Sequence, residues 1–462
     1  MTPQPLPPPL PQRKNNWWFV LGHEPLLSAA EILAALKTEA QPGLLLLPNS
    51  SRPLVLRLTA TLDPQGLIRR LGGTIKIGEE LGEHMTEEKL LEAMAEELRL
   101  VEGKINFGIS IYPSMSLRGG TTKQSPGLQD SLKHGDRHAL RGGGSLAMTD
   151  TIEQWGKKLK KLLKEEGRSA RYVFKKETVL SSATVVNNNL DARGREFLVC
   201  PLLAKEGRGV VYALAKTRVV QPFEEFSRRD FGRPGRDDVS GMLPPKLAMM
   251  MINISGASRD QVLLDPFCGS GTILSEALLL GYNNLIGSDV SEKAVEDTKK
   301  NIAWTLSQSP LEGGRGSAQR GSARRGDVRV FQSEAAKLSK QLSPATVDTI
   351  VTEPFLGPPL KGRESRDEVA KNTQELARLY LGAFQEFKEI LKPQGIVVFI
   401  IPRFQVQGQW ITISNTLAPE LKKLGFFPEP ILPENIRSET FLLYHRANQR
   451  VGREIWKFKF NG

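Results

Sequence analysis

The run Leu263-Leu264-Asp265-Pro266-Phe267-Cys268-Gly269-Ser270-Gly271-Thr272, continuing into Ile273-Leu274-Ser275-Glu276-Ala277, leaves this chain few folds to choose from. An apolar run ends in an acid, passes through a glycine loop and enters an apolar, small-residue helix start. That is the strand–loop–helix joint of a doubly wound α/β sheet, whose ligands sit at the carboxyl ends of the strands. Gly269 and Gly271 let a ligand approach the backbone and accept dihedrals that other residues resist. The loop is neither of the common phosphate-binding types. No lysine follows Gly271, as a P-loop requires, and Leu274 stands where a dinucleotide loop has its third glycine. Taken alone, Gly-x-Gly is an ordinary tight turn. What adds to it is a second acid, Asp289, at the end of the next candidate strand, Asn284 to Asp289. It lies 289 − 265 = 24 residues on, about where a ribose-binding carboxylate belongs. The pair suits a ligand with a ribose, no phosphate and a cationic end, and S-adenosylmethionine has that make-up.

At 462 residues the chain is too long for one ordinary domain. Lys+Arg 63 against Asp+Glu 51 gives a net charge of +12, which favours a polyanionic partner, nucleic acid first. The two cysteines, Cys200 and Cys268, suggest neither a disulfide framework nor a zinc site. Cys268 reads as a small packing residue of the loop. No apolar run is long enough to span a bilayer, and the proline-rich start lacks the apolar core of a signal peptide. A cytoplasmic protein with no membrane partner is expected.

Residues 1–16 read as a disordered tail. Strands at Trp17 to Leu21, Gly43 to Leu47, Leu54 to Leu58 and Thr74 to Ile77 alternate with helices at Ser28 to Leu36 and Gln65 to Leu71. Ser28 and Glu31 have capping-box spacing. The order β-α-β-β-α-β predicts a ferredoxin-like domain over 17–81. A helix opening at Thr86, with Leu90, Leu91, Met94 and Leu98 near a 3.6 period, begins the next region, 82–218. Within it, 119–149 is a glycine-rich polar insert. His134 and His138 there share helical ligand spacing, but incidental spacing is the better reading. The helix from Thr151 to Glu166 carries Lys157, Lys158, Lys160, Lys161 and Lys164, which serve equally well as a solvated face or a phosphate-tracking surface. Strands are expected at Arg171 to Phe174, Val179 to Val186, Glu196 to Cys200 and Val210 to Ala215. A polar linker, 219–240, leads to a strand–helix alternation over 241–462, interrupted by a Gly/Ser/Arg-rich insert at 307–327. That alternation predicts a mostly parallel sheet with helices on both faces and a terminal hairpin.

Asp265-Pro266-Phe267-Cys268-Gly269-Ser270-Gly271-Thr272 resembles the cofactor motif of RNA base methyltransferases. The lead-in Arg229-Asp230-Phe231-Gly232-Arg233-Pro234-Gly235-Arg236-Asp237, then Gly241-Met242-Leu243-Pro244-Pro245-Lys246-Leu247-Ala248, is similar to that of the THUMP-containing tRNA (guanine-10-N2) methyltransferases. So is Gly452-Arg453-Glu454-Ile455 near the C-terminus. The similarity runs from about Trp17 to the end, the two inserts apart. It implies a Rossmann-like class I methyltransferase domain preceded by a ferredoxin-like and THUMP α+β region. Leu180-Ser181-Ser182 matches a THUMP segment. The implied partner is tRNA, held by THUMP and the domain before it. Some relatives have a small zinc-binding activating protein, which no feature here demands or excludes.

The resemblance also implies the site. Asp265 meets the methionine ammonium, with Phe267, Gly269, Gly271 and Thr272 around the cofactor, Asp289 on the ribose hydroxyls and Glu334 on the adenine amine. The alternative for Glu334 is a helix N-terminal acid favoured by the dipole. The reaction belongs at Thr352-Glu353-Pro354-Phe355, where the family carries Asp-Pro-Pro-Tyr. A guanine amine is a poor nucleophile because its lone pair is conjugated with the ring. A carboxylate and a backbone carbonyl can accept its two protons, localise the lone pair and align it, with no metal. A flat ring holds the flipped base. Glu353, Pro354 and Phe355 are therefore the expected catalytic residues. Glu353 is one methylene longer than the usual acid, and the alternative register puts Thr352 in the acid's place. Two other readings stay open at this point: adenine-N6 methylation of DNA, and an RNA-binding protein with a degenerate methylase fold.

Overall fold

The computed structural model describes residues 15–36, 55–112, 144–192, 194–203, 210–236, 242–308, 327–360, 362–434, 440–446 and 449–462. The chain divides into two compact units, one of 1–23, 39–69 and 74–221, the other of 24–38, 70–73 and 222–462. In chain order the first elements are β1 (Asn15–Leu21), α1 (Pro25–Ala35), β2 (Val55–Ala60), α2 (Pro64–Ile68), β3 (Thr74–Met85), α3 (Glu87–Arg99) and β4 (Ile105–Ile111). Next come α4 (Gly144–Glu165), β5 (Ala170–Tyr172), α5 (Ser182–Asn187), β6 (Arg195–Leu203), β7 (Val210–Val220) and α6 (Phe223–Phe231). Then follow α7 (Pro245–Ser255), β8 (Val262–Asp265), α8 (Thr272–Leu279), β9 (Asn284–Asp289), α9 (Glu292–Gln308), β10 (Asp327–Gln332), a 3-10 helix (Ala335–Lys340) and β11 (Val347–Thr352). The chain closes with α10 (Arg366–Ile390), β12 (Leu391–Val406), β13 (Gln409–Thr412), α11 (Ser414–Lys423), β14 (Phe426–Pro428), β15 (Phe441–Tyr444) and β16 (Val451–Phe460). Among the described residues no helix is long and apolar enough to cross a membrane.

The first unit is built on one seven-stranded sheet, ordered β2-β1-β3-β7-β6-β4-β5. Thr86 caps α3 by accepting from the Lys89 amide, and Glu87 and Glu88 sit in the first turn where the helix dipole favours them. Leu90, Met94 and Leu98 of α3 and Ile152, Trp155, Leu159 and Leu163 of α4 fall on one face of each helix. They bury against Phe107, Ile109, Phe197 and Val199 of the sheet. Gly156 makes this packing feasible, since a Cβ there would strike the ring of Tyr172, whose hydroxyl donates to the Ile152 carbonyl at 2.9 Å. Inside the sheet the Lys76 ammonium, 1% exposed, meets Glu196 at 2.5 Å. Ser110 and Thr217 complete that carboxylate at 2.7 Å each, while Lys76 donates to the Leu180 carbonyl and Ser110 accepts from the Leu180 amide. A buried charge is tolerable only when so fully partnered.

Several expectations change here. The boundary expected after residue 81 falls inside β3, which runs on to Met85. Residues 43–47, expected as a strand, lie outside the described residues, as do His134 and His138 and most of both inserts. No strand forms at Val179 to Val186; from Ser182 on the segment is the short helix α5, because Ser181 accepts from the Thr184 amide and caps it. Ser28 and Glu31 form no capping box. Helix α1 starts three residues earlier, at Pro25, Ser28 donates to the Glu24 carbonyl, and the buried Glu31 accepts from the amides of Gly72 and Gly73 and from Asn253. Burial raises that carboxyl to about 7. Nor is 219–240 a plain linker. Val219 and Val220 finish β7, and α6 follows, its Arg229 paired with the buried Glu276 at 2.8 Å.

The second unit carries a nine-stranded sheet ordered β10-β9-β8-β11-β12-β16-β14, with β13 on β12 and β15 on β16. Strands β10, β9, β8, β11 and β12 run parallel, and β16 returns antiparallel beside β12. This is the doubly wound sheet with terminal antiparallel strands expected of a class I methyltransferase domain. Helix α10 opens with a complete Ser365/Glu368 capping box and buries Leu376, Tyr380, Phe384 and Phe387 against Val397, Phe399 and Phe458. From β8 the chain winds one way through β9 and β10, then crosses to β11 on the other side. The crevice at such a reversal of strand order is where ligands bind in open α/β sheets.

Candidate active site

Two strand ends meet at that reversal. On β8, Asp265 is 2% exposed, and its Oδ1 accepts from the Thr352 hydroxyl of β11 at 2.6 Å and from the Phe267 amide at 3.3 Å. It has no cationic partner among the described residues. Burial raises its carboxyl from 3.8 to about 7, against the lowering by Thr352 and Phe267. The loop beyond it is fixed by its own backbone. The Cys268 amide donates to the Ser288 carbonyl, and the Gly271 amide to the Cys268 carbonyl. Gly269 and Gly271 adopt φ of +50° and +79°, the left-handed region that favours glycine. A Cβ on Gly271 would strike Thr298, whereas one on Gly269 would meet nothing within 4 Å. The backbone at Gly269 is thus open to a ligand. Burial pushes the Cys268 thiol well up, in keeping with a packing residue.

Asp289, half-buried at the end of β9, accepts from the Gly269 amide through Oδ2 and the Ser291 amide through Oδ1, both at 2.9 Å. These bonds orient the carboxylate and leave further lone pairs on each oxygen. Phe267 of the loop is half-buried. Glu334 stands apart from this hydrogen-bonded set. It is exposed after β10, pairs with Lys337 at 2.6 Å, and caps no helix amide with its side chain. It lines an open depression with Val290, Gln332, Ser333, Lys337, Lys340 and Gln341. Val290, which follows Asp289 directly, is 64% exposed there.

At the end of β11 the two registers left open in the sequence separate. Thr352 is fully buried and its hydroxyl is engaged by Asp265. Glu353 turns the other way, and its Oε1 meets the Nε of Arg453 on β16 at 2.5 Å, both side chains 13% exposed. Pro354 is buried. Phe355 presents a 57% exposed ring while its carbonyl accepts from the buried Tyr380 hydroxyl at 2.7 Å. The strand exit is therefore anchored before the exposed aromatic and at its own carbonyl.

Sequence reasoning assigned no role to the residues that brace the loop from behind. Arg233 is 5% exposed and donates to the Thr272 hydroxyl at 2.5 Å. Asn301 of α9 donates to the carbonyls of Gly235 and Ser270 and accepts from the Gly235 amide. Thr298 donates to the Gly269 carbonyl at 2.7 Å. The lead-in Arg229 to Asp237 was visible as a motif, and its bracing function depends on α9. Thr298 and Asn301, three apart on α9, offered no signal beyond that spacing.

A doubly wound sheet with a glycine loop between two acids at its switch point defines a class I, S-adenosylmethionine-dependent methyltransferase. Residues 233–407 match the RMKL-like methyltransferase-domain family. A probable tRNA (guanine(10)-N2)-dimethyltransferase of Methanothermococcus thermolithotrophicus is 31% identical over 159 residues, covering 34% of this chain and 80% of that protein. The chain belongs to the tRNA (guanine(10)-N2)-dimethyltransferase family. A second relative, from Methanothermobacter thermautotrophicus, is 45% identical over 117 residues, 25% of this chain and 28% of its own length. The solved structure of TrmN from Thermus thermophilus aligns over 96% of this chain and 99% of its own, at 16% identity and a TM-score of 0.48.

Proposed function

We propose that this enzyme methylates the N2 amine of a guanine in tRNA, at position 10 as in the names of its relatives. The observation that carries the reading is the junction of β8 with β11. Thr352 bonds Asp265 at 2.6 Å, so the acid assigned to the cofactor and the Glu353-Pro354 pair assigned to the amine leave adjacent strand ends. When bound, S-adenosylmethionine supplies an electrophilic methyl group. The residues present fit it: an open backbone at Gly269, an acid without its own cation at Asp265, and an oriented carboxylate at Asp289. In this reading Asp265 receives the ammonium, Asp289 the ribose hydroxyls and Glu334 the adenine amine, with Phe267, Gly271 and Thr272 shaping the loop.

Glu353 and the Pro354 carbonyl accept the two N–H bonds of the guanine amine. Its lone pair is thereby localised and held in line with the methyl group, so positioning and electrostatics supply the acceleration. Phe355 stacks on the flipped base, since its ring is already exposed. The first unit holds the tRNA, in keeping with the THUMP resemblance of 82–218 and the lysines of α4. Lys157, Lys158 and Lys161 lie beside Glu153, Glu87 and Glu165 respectively, so phosphates compete there with local acids.

The test is transfer of a labelled methyl group to folded tRNA, with duplex DNA as competitor. Label in tRNA that DNA does not suppress supports the proposal. Label in DNA favours the adenine reading, and cofactor binding without transfer to either favours a degenerate RNA-binding protein.

A further inference from the structure

We infer that Arg453 is a specificity-determining residue that reads the O6 carbonyl of guanine, so that Glu353 and Arg453 together form the base-selecting edge of the site. The inference rests on the guanine-N2 reading and deepens it. Arg453 sits on β16 with Pro402 of β12 opposite on one side and Tyr444 of β15 on the other. Its Nε donates to Glu353 Oε1 at 2.5 Å, with 13% of each side chain exposed. The guanidinium carbon lies 6.0 Å from the Tyr444 ring centre. One terminal nitrogen makes only a long contact, 3.5 Å, with Gln449. The strongest bond of the guanidinium is therefore spent through Nε. Its terminal N–H groups, and Oε2 of Glu353, have no shorter partner among the described residues.

The chemistry of this arrangement is directional. A carboxylate bonded edge-on to a guanidinium presents acceptors followed by donors along one line. The Watson–Crick edge of guanine presents the complement: the N2 and N1 donors, then the O6 acceptor. Adenine offers one donor followed by an acceptor and leaves a carboxylate oxygen facing a lone pair. Enzymes that act on a flipped base read it along this edge, and arginine suits O6 because its planar fork is always charged. The pairing also gives a reason for glutamate at 353, since its side chain reaches from the end of β11 to Arg453 of β16, with β12 between the two strands. Apart from the 3.5 Å contact with Gln449, the terminal nitrogens have no hydrogen bond among the described residues and are the donors available to a base.

The experiment places guanine or 2,6-diaminopurine at the methylated position of a tRNA substrate. Diaminopurine keeps the N2 amine, replaces O6 by an amine and turns N1 from a donor into an acceptor. The carboxylate of Glu353 faces the N1 change and Arg453 the O6 change, so the part of the preference that depends on Arg453 is the part that tests the inference. Single-turnover rates at saturating cofactor are compared for wild type, Arg453→Met and Arg453→Lys, with calorimetric cofactor affinity as the check on folding. Wild type is expected to favour guanine. Arg453→Met should cut that preference by roughly tenfold or more, the scale of one good base contact, and Arg453→Lys should keep more of it. Should Arg453→Met fail to bind cofactor, Arg453→Gln takes its place in the comparison. Equal slowing on both bases, with the preference intact, overturns the inference and leaves Arg453 as support for Glu353. A wild type that methylates neither base overturns the guanine-N2 reading as well, a distinct result.

Discussion

Asp265 and Glu353 close neighbouring parallel strands, yet they are furnished in opposite ways. Asp265 is buried with a hydroxyl and an amide for company, and burial lifts its carboxyl to about 7. Glu353 faces a guanidinium at 2.5 Å. The difference matches the partners proposed for them. An acid that receives a cationic ligand has the place of the cation left open. An acid that accepts protons from a neutral amine is pinned by a cation of the protein itself. A second division, between local and long-range construction, also runs through the site. Asp289 and the turn at Cys268 to Gly271 are ordered by atoms within about one strand–helix–strand repeat, whereas Asp265 takes its shortest bond from Thr352, 87 positions on, and Glu353 depends on a residue 100 positions away.

The contrast breaks most visibly at Glu353. Glu353→Gln should lower kcat by about 10²–10³, the scale for losing one preorganised electrostatic group, and leave cofactor and tRNA affinities within a few-fold. Glu353→Asp should retain intermediate activity, since it keeps the carboxylate and loses reach toward Arg453. Equal single-turnover rates for all three would remove Glu353 from the chemistry.

On the cofactor side the loss should appear in affinity. Asp289→Ala should weaken S-adenosylmethionine binding by about 1.5–3 kcal/mol, the usual range for hydrogen bonds to a charged group, without unfolding the protein. Unchanged calorimetric affinity would take Asp289 out of the site.

A smaller effect follows from the raised carboxyl of Asp265. Its folded value, about 7, lies above the ordinary 3.8, so the folded state holds the proton more tightly than the unfolded chain. The corresponding stability is present below about 4 and lost as pH rises through 7. Cofactor affinity should run the other way, rising as pH climbs toward 7 and levelling off above it, because the ammonium binds the ionised acid. Asp265→Asn should flatten both trends, and flat wild-type titrations would contradict them.

The smallest effect belongs to the first unit. Replacing Lys157, Lys160 and Lys164 by Gln should leave cofactor binding untouched. It should reduce the log–log salt slope of tRNA binding by roughly 0.7–0.9 for each phosphate no longer neutralised. An unaltered slope would return α4 to a solvated face.

How much of this was legible in sequence follows the same local and long-range division. The β8 joint, the Asp289 strand and the Ser291-capped α9 were readable because each is specified by adjacent residues, as the 3.3 Å bond from the Ala294 amide to Ser291 illustrates. Ser28 and Glu31 misled because capping-box spacing says nothing of the Gly72 and Gly73 amides that claim the carboxylate. Val179 to Val186 has strand-like composition, but Ser181 caps it as a helix, with both backbone groups of Leu180 already bound by Ser110 and Lys76. Thr298 and Asn301 were silent because a buried brace shows no periodicity, and Arg233 was visible only within the lead-in motif, without its bond to Thr272. Glu353 was nominated from its neighbours, while its arginine was visible only as part of a terminal motif.

Mass spectrometry of nucleosides from tRNA incubated with the enzyme and isotopically labelled cofactor reads the methylated atom itself. Label is expected on the N2 amine of guanosine, as the mono- or dimethylated nucleoside, and should build up about 10²–10³-fold more slowly with Glu353→Gln. Label on adenosine or cytidine, or on guanosine at another atom, would contradict guanine-N2 methylation by this site.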